Sequence, residues 1–184
     1  MSRPPRARQP LKEAALELFV TQGVHATGIR EIAKKAGCSE AALYRHWSNK
    51  EDLVTSLFRE HIGEVVALLE QSLAGCKDLP SQLLAAATAL YQLYDDQPLV
   101  FRFVLLVRHE QARFLAPEVR MPQDLVAGLI GQHVPDERRA VVLSAAALGI
   151  FLQTAEYVVY GRLPGPLAAY APDVARSIGR LVAG

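Results

Sequence analysis

Cysteine is almost missing from this 184-residue chain: only Cys38 and Cys76 occur. Two thiols cannot build a disulfide scaffold, and their separation fits no metal-ligand pattern, so the expected setting is a reducing one. Catalytic signatures are missing as well. There is no G-x-S-x-G, P-loop or dinucleotide fingerprint, and neither a cofactor nor a bound metal is expected. His109-Glu110-Gln111-Ala112-Arg113 begins like a zinc-protease H-E-x-x-H but sets arginine where the second ligand must stand. His133 does not complete a convincing metal set with His109 and Glu110, and the chain reads as no enzyme. Segments alternating like strands, internal repeats and low-complexity tracts are also lacking. The opening M-S-R-P-P-R-A-R-Q-P is basic but no apolar signal segment follows it, so a cytoplasmic location is expected.

What the chain does have is apolar residues at helical spacing, 51% hydrophobic overall, which predicts an all-α protein of about nine helices with a real core. Net charge is only +1, yet residues 1–61 hold ten Lys/Arg against seven Asp/Glu while the remainder holds ten against twelve. A mildly basic front agrees with nucleic-acid binding without establishing it.

The stretch T-G-I-R-E-I-A-K-K-A-G-C-S-E-A-A-L-Y-R-H-W-S-N-K-E-D-L, residues 27–53, carries the most chemistry. Thr27 is placed to cap a short helix whose inner face is Ile29, Ile32, Ala33 and Ala36. Gly37 supplies the left-handed backbone for a sharp turn, and Ser39 caps a second short helix. On that helix Ala42, Leu43 and Trp47 are expected inward, with Tyr44, Arg45 and His46 outward. Two helices crossing through a glycine turn, the second with donors outside, is the geometry of a helix-turn-helix entering the major groove. Double-stranded DNA is therefore the expected partner. Arg45 is the candidate base reader, because guanidinium engages guanine O6 and N7 together. Tyr44, His46 and Ser39 are candidate phosphate donors, and Ala41 and Ala42 leave the helix shallow enough to meet thymine methyls. Thr27 and Lys50, each at a helix start, read as phosphate clamps.

These residues resemble the DNA-binding half of the TetR family of bacterial one-component transcriptional regulators. The likeness runs through Ala14-Ala15, Leu18-Phe19, the Gly23 loop, Thr27-x-x-x-x-Ile32-Ala33, Ala36-Gly37-Cys38-Ser39, Leu43-Tyr44-Arg45-His46-Trp47 and Lys50-Glu51-x-Leu53. Trp47 stands where most members have a smaller aromatic. The resemblance covers the first third of the chain, and it implies a ligand-responsive repressor acting as a dimer.

Domain organisation follows: a basic arm over residues 1–9, the helix-turn-helix over 10–55, and a helical effector and dimerisation domain over 56–184. A long helix capped by Ser48 or Asn49 and running to about Ala74 crosses from one module to the next. From Ala140 to Leu152 only Ser144 is polar. A membrane span is not expected for this run, because Gln153 and Glu156 would lie in it without partners. A second copy of the chain is the economical cover. The homodimer interface is expected at Ala145, Ala146, Gly149 and Leu152, with Val174, Ile178 and Leu181 of the last helix. A dimer of such modules would read a pseudo-palindromic operator. An effector cavity, which the resemblance implies, would be lined by Tyr91, Tyr94, Phe101, Phe103, His109, Phe151, Gln153 and Tyr157 and take a small, mostly apolar ligand. The competing reading is an effector-less DNA-binding or architectural dimer.

Overall fold

The computed structural model describes residues 7–106 and 120–184, and every regular element among them is helical. The α-helices among the described residues are nine: α1 (Arg8–Gln22), α2 (Ile29–Lys35), α3 (Glu40–Tyr44), α4 (Lys50–Leu73), α5 (Leu79–Asp96), α6 (Pro98–Phe101), α7 (Pro122–Gly131), α8 (Glu137–Val159) and α9 (Ala171–Ala183). A π-turn, Arg102–Leu106, follows α6, and a 3₁₀ turn, Leu167–Tyr170, precedes α9. Several starts follow from their caps. Asn49 Oδ1 accepts from Asp52 N (2.8 Å) at the head of α4, while Asp52 returns to Ser48 N (2.8 Å). Asp78 and Ser81 cap α5 reciprocally.

The chain divides into two compact units. Among the described residues the first holds 7–61 and 99–106, the second 62–98 and 120–184. The boundary expected at residue 55 thus falls at 61, inside the uninterrupted helix α4, and a later segment joins the first unit.

In the first unit Leu11, Ala15 and Phe19 of α1 and Leu53, Leu57 and Phe58 of α4 are all buried. Phe103 of the π-turn completes this core: its ring stacks 6.2 Å from Phe19 and meets Phe58 edge-on at 5.8 Å. Such aromatic pairs contribute about 0.5–1.5 kcal/mol each beyond their burial. At the surface, the Lys12 ammonium bonds both carboxylate oxygens of Glu60 and holds that carboxyl below its usual range.

In the second unit α9 packs against α5 and α8, and α8 also against α7. Val174, Ala175, Ile178 and Val182 form the inner face of α9. Gly179 faces α5, where an added Cβ would stand 3.8 Å from Leu83, an ordinary van der Waals distance. Asp95 ties the end of α5 to the 3₁₀ turn through Leu167 N and Ala168 N, both at 2.8 Å.

The stripe expected at the dimer interface needs correction here. Val174 and Ile178 are buried inside their own protomer, because α5 already covers that side of α9; of the three residues named on that helix only Leu181 remains exposed. A single protomer does not enclose α8. Only 28% of its most apolar window is buried. Val141 and Val142 are 69% and 62% exposed, Ala145 and Gly149 are open, and Tyr157 and Tyr160 continue the stripe, whereas Ala146 and Leu152 are half-buried.

Candidate DNA-recognition module

Helix α2 ends in a Schellman turn. Gly37 has φ +64°, Cys38 N donates to Ala33 O (2.8 Å) and Gly37 N to Lys34 O (3.1 Å), so the last carbonyls of α2 are satisfied while the chain reverses. A side chain at Gly37 would be strained by that φ alone. Ser39, in extended conformation, then accepts from Ala42 N (3.2 Å) and opens α3. A five-residue helix has no stability of its own. It is held by Leu43 (0% exposed), Ala42 and Trp47, which turn inward as expected except that Ala42, at 5% exposure, offers nothing to a thymine methyl. Ala41 is the exposed alanine.

The outer face carries Glu40, Ala41, Tyr44 (52% exposed) and Arg45, with His46 half-buried and edge-on to Trp47 at 5.5 Å. Arg8 lies over the Trp47 ring at 5.9 Å, so the first turn of α1 abuts the end of the recognition segment. Tyr44 and Arg45 are therefore presented together. The pattern of α2 hid two further cations. Arg30 and Lys34, four residues apart, stand on the solvent side opposite Ile32 and Ala33 and pair with no acid among the described residues. Their i,i+4 spacing was the available signal. Lys35 differs, being paired with Glu17 at 2.8 Å.

Two expected phosphate clamps are otherwise occupied. Thr27 does not cap α2, whose N-cap is Gly28; it is 1% exposed and donates its hydroxyl to Gly23 O (2.8 Å). Lys50 Nζ donates to Val24 O, His25 O and Thr27 O. Both are drawn inward by turn carbonyls that need donors.

The expected effector-pocket residues are divided between the two units. Phe101 and Phe103 belong to the first unit's core, with Phe103 between Phe19 and Phe58. Gln153 and Tyr157 are exposed on α8, and Tyr94 is half-buried. His109 lies outside the described residues. Tyr91 and Phe151 do meet in the second unit, rings stacked at 4.6 Å, with Tyr91 OH donating to Phe151 O (2.8 Å). Burial pushes the Tyr91 phenol well above its usual ionisation range, and the Thr154 hydroxyl offsets this in part. Tyr91→Phe is expected to lower unfolding free energy by about 1 kcal/mol, read from a denaturant midpoint at unchanged slope.

Residues 11–57 match the model of the family described as bacterial regulatory proteins, tetR family. The chain is 29% identical over 155 residues to the HTH-type transcriptional activator FasR of Mycolicibacterium smegmatis, covering 82% of this chain and 71% of that protein. The fold is that of two solved structures. The fatty acid degradation regulator FadR from Bacillus halodurans superposes with TM-score 0.75 at 20% identity, over 97% of this chain and 96% of that one. FadR from Bacillus subtilis, in complex with stearoyl-CoA, gives 0.73 at 19% identity over 92% and 96%. With the helix-turn-helix built as described and matched along its length, residues 11–57 form a DNA-binding module of the TetR family of bacterial transcriptional regulators.

Proposed function

We propose that this protein is a homodimeric repressor that reads a pseudo-palindromic operator with α3 and is released by a small, largely apolar effector in the cytoplasm. The observation that carries the DNA reading is the division of α3: Leu43 and Trp47 are sealed in the core while Tyr44 and Arg45 project without internal partners among the described residues. Arg45 reads a base, Tyr44, His46 and Ser39 contact phosphate, and Arg30 and Lys34 add phosphate contacts from α2. The exposed apolar stripe of α8, with Leu181 of α9, supports pairing of two copies. For the effector, a long-chain acyl thioester is the first candidate, since the Bacillus subtilis FadR structure holds stearoyl-CoA. Release would be a population shift: the effector must bind more tightly to the dimer form whose recognition helices no longer match successive grooves.

Duplexes selected from a random pool are expected to carry inverted half-sites about one helical turn (~34 Å) apart or a multiple of that, and added stearoyl-CoA is expected to release them. On the selected operator, Arg45→Ala should cost about 1–3 kcal/mol and relax one position of the site. Arg30→Ala should weaken all sequences alike and reduce the salt slope by about two, because each protomer loses one phosphate contact. Equal loss of specificity from both substitutions would refute these roles.

A further inference from the structure

We propose that Lys50 is a positioning residue for DNA recognition: its ammonium holds the turn between α1 and α2 from within the protein and contributes no phosphate contact. This rests on the DNA-binding reading above. Nζ lies 3.0 Å from Val24 O, 3.0 Å from Thr27 O and 3.3 Å from His25 O. An ammonium has three protons and no acceptor, so three carbonyls exhaust its donors. The turn has matching needs. It leaves α1 through Gly23 (φ +90°), and the bond from the Thr27 hydroxyl to Gly23 O closes it on itself. The carbonyls of residues 24, 25 and 27 find this donor from a helix more than twenty residues further on.

The position of Lys50 sharpens the inference. It is the first residue of α4, where the helix dipole opposes a cation. Three converging carbonyl oxygens offset that opposition inside the protein, so no external anion is needed to explain the placement. The turn runs directly into Gly28, whose carbonyl accepts from Glu31 N and Ile32 N (3.1 Å each) and starts α2. Fixing the turn therefore fixes the first residues of α2, including Arg30 and the base on which α3 rests. Lys50 acts through these elements, and the uncommitted cations Arg30 and Lys34 provide the charge.

The test uses the full chain, with Lys50→Met, Lys50→Arg and Arg30→Ala compared on the selected duplex across a salt series, at a temperature where circular dichroism shows each variant folded. Lys50→Met is expected to weaken binding about tenfold, the scale of lost charged hydrogen bonds, at an unchanged logarithmic salt slope. Arg30→Ala, which removes one phosphate contact from each protomer, should reduce that slope by about 1.8. Lys50→Arg, which keeps charge and donors, should recover part of the affinity, and amide exchange of residues 24–28 should quicken in Lys50→Met. In the wild type, the Lys50 ammonium should give a slowly exchanging nitrogen-15 signal in free protein, unchanged on adding duplex; this needs no variant to fold. A slope loss of about 1.8 in Lys50→Met, one phosphate contact per protomer, or an ammonium protected only when duplex is present, would overturn the proposal. If the wild type bound no duplex, the DNA reading and the recognition role of Lys50 would fall together, whereas a failure confined to Lys50 leaves wild-type binding intact.

Discussion

Val142→Glu is expected to leave the protomer helical but to convert the protein to a monomer, with affinity for a two-half-site operator falling by at least about a hundredfold while single half-site binding persists. Val142 is 62% exposed in the protomer, so the substitution removes nothing from the protomer's own core. It lies on the stripe of α8 that includes Ala145, Gly149 and Tyr160, all open in a single chain. A twofold interface repeats every residue, so one substitution introduces two carboxylates into one contact. Burying an unpaired charge costs about 3–5 kcal/mol, and a stable pairing surface of about 1,600 Å² does not absorb two such penalties. Sedimentation velocity at micromolar protein and titration of whole and half-site duplexes measure the two effects. Val142→Ala serves as the reference, trimming the same side chain without adding charge. A dimer that survives Val142→Glu would show that this stripe is not the pairing surface.

Periodicity read the helices and their ends well, because those are local matters. The turn at Gly37 and the cap at Ser39 involve residues within five positions and stand where the pattern put them, and of the two caps offered for α4, Ser48 or Asn49, Asn49 is the one used. The inward and outward faces of α3 were legible for the same reason. What a pattern does not encode is the partner of a face. The stripe Val174-Ile178 fits a second protomer as well as it fits α5, and only the packed chain decides for α5. Phe103 looked like a cavity wall because an aromatic in a helical run carries no label; its partners Phe19 and Phe58 lie far back in the chain. Lys50 misled in a similar way. A cation at a helix start beside a DNA-binding motif suggests phosphate, but three carbonyls from a distant turn claim its protons first. Arg30 and Lys34 are exposed on α2, and a solvated cation on a helix surface carries no mark in the pattern that separates it from a phosphate contact.

Leu43→Ala is expected to cost about 2–5 kcal/mol of stability and to abolish DNA binding well before the rest of the protein loses its helices. Leu43 is 0% exposed in a helix of only five residues, Glu40–Tyr44. Such a segment has no nucleation advantage, so its order derives almost wholly from the side chains that anchor it. Besides Leu43 these are Ala42 and Trp47, the latter reaching Arg8 at the head of α1. Truncating Leu43 removes the central anchor and leaves a cavity between α3 and the helices beneath it, while Tyr44 and Arg45 remain in the chain with every donor intact. The loss is therefore one of placement, and temperature separates it from loss of a contact. On cooling, where local order of α3 returns, Leu43→Ala should regain operator binding with wild-type sequence preference, whereas Arg45→Ala should remain unselective at the same base at every temperature. Denaturant melts give the stability cost, and operator titrations at two temperatures give the distinction. A Leu43→Ala protein that bound its operator normally in the warm would mean that α3 is held by something other than its buried face.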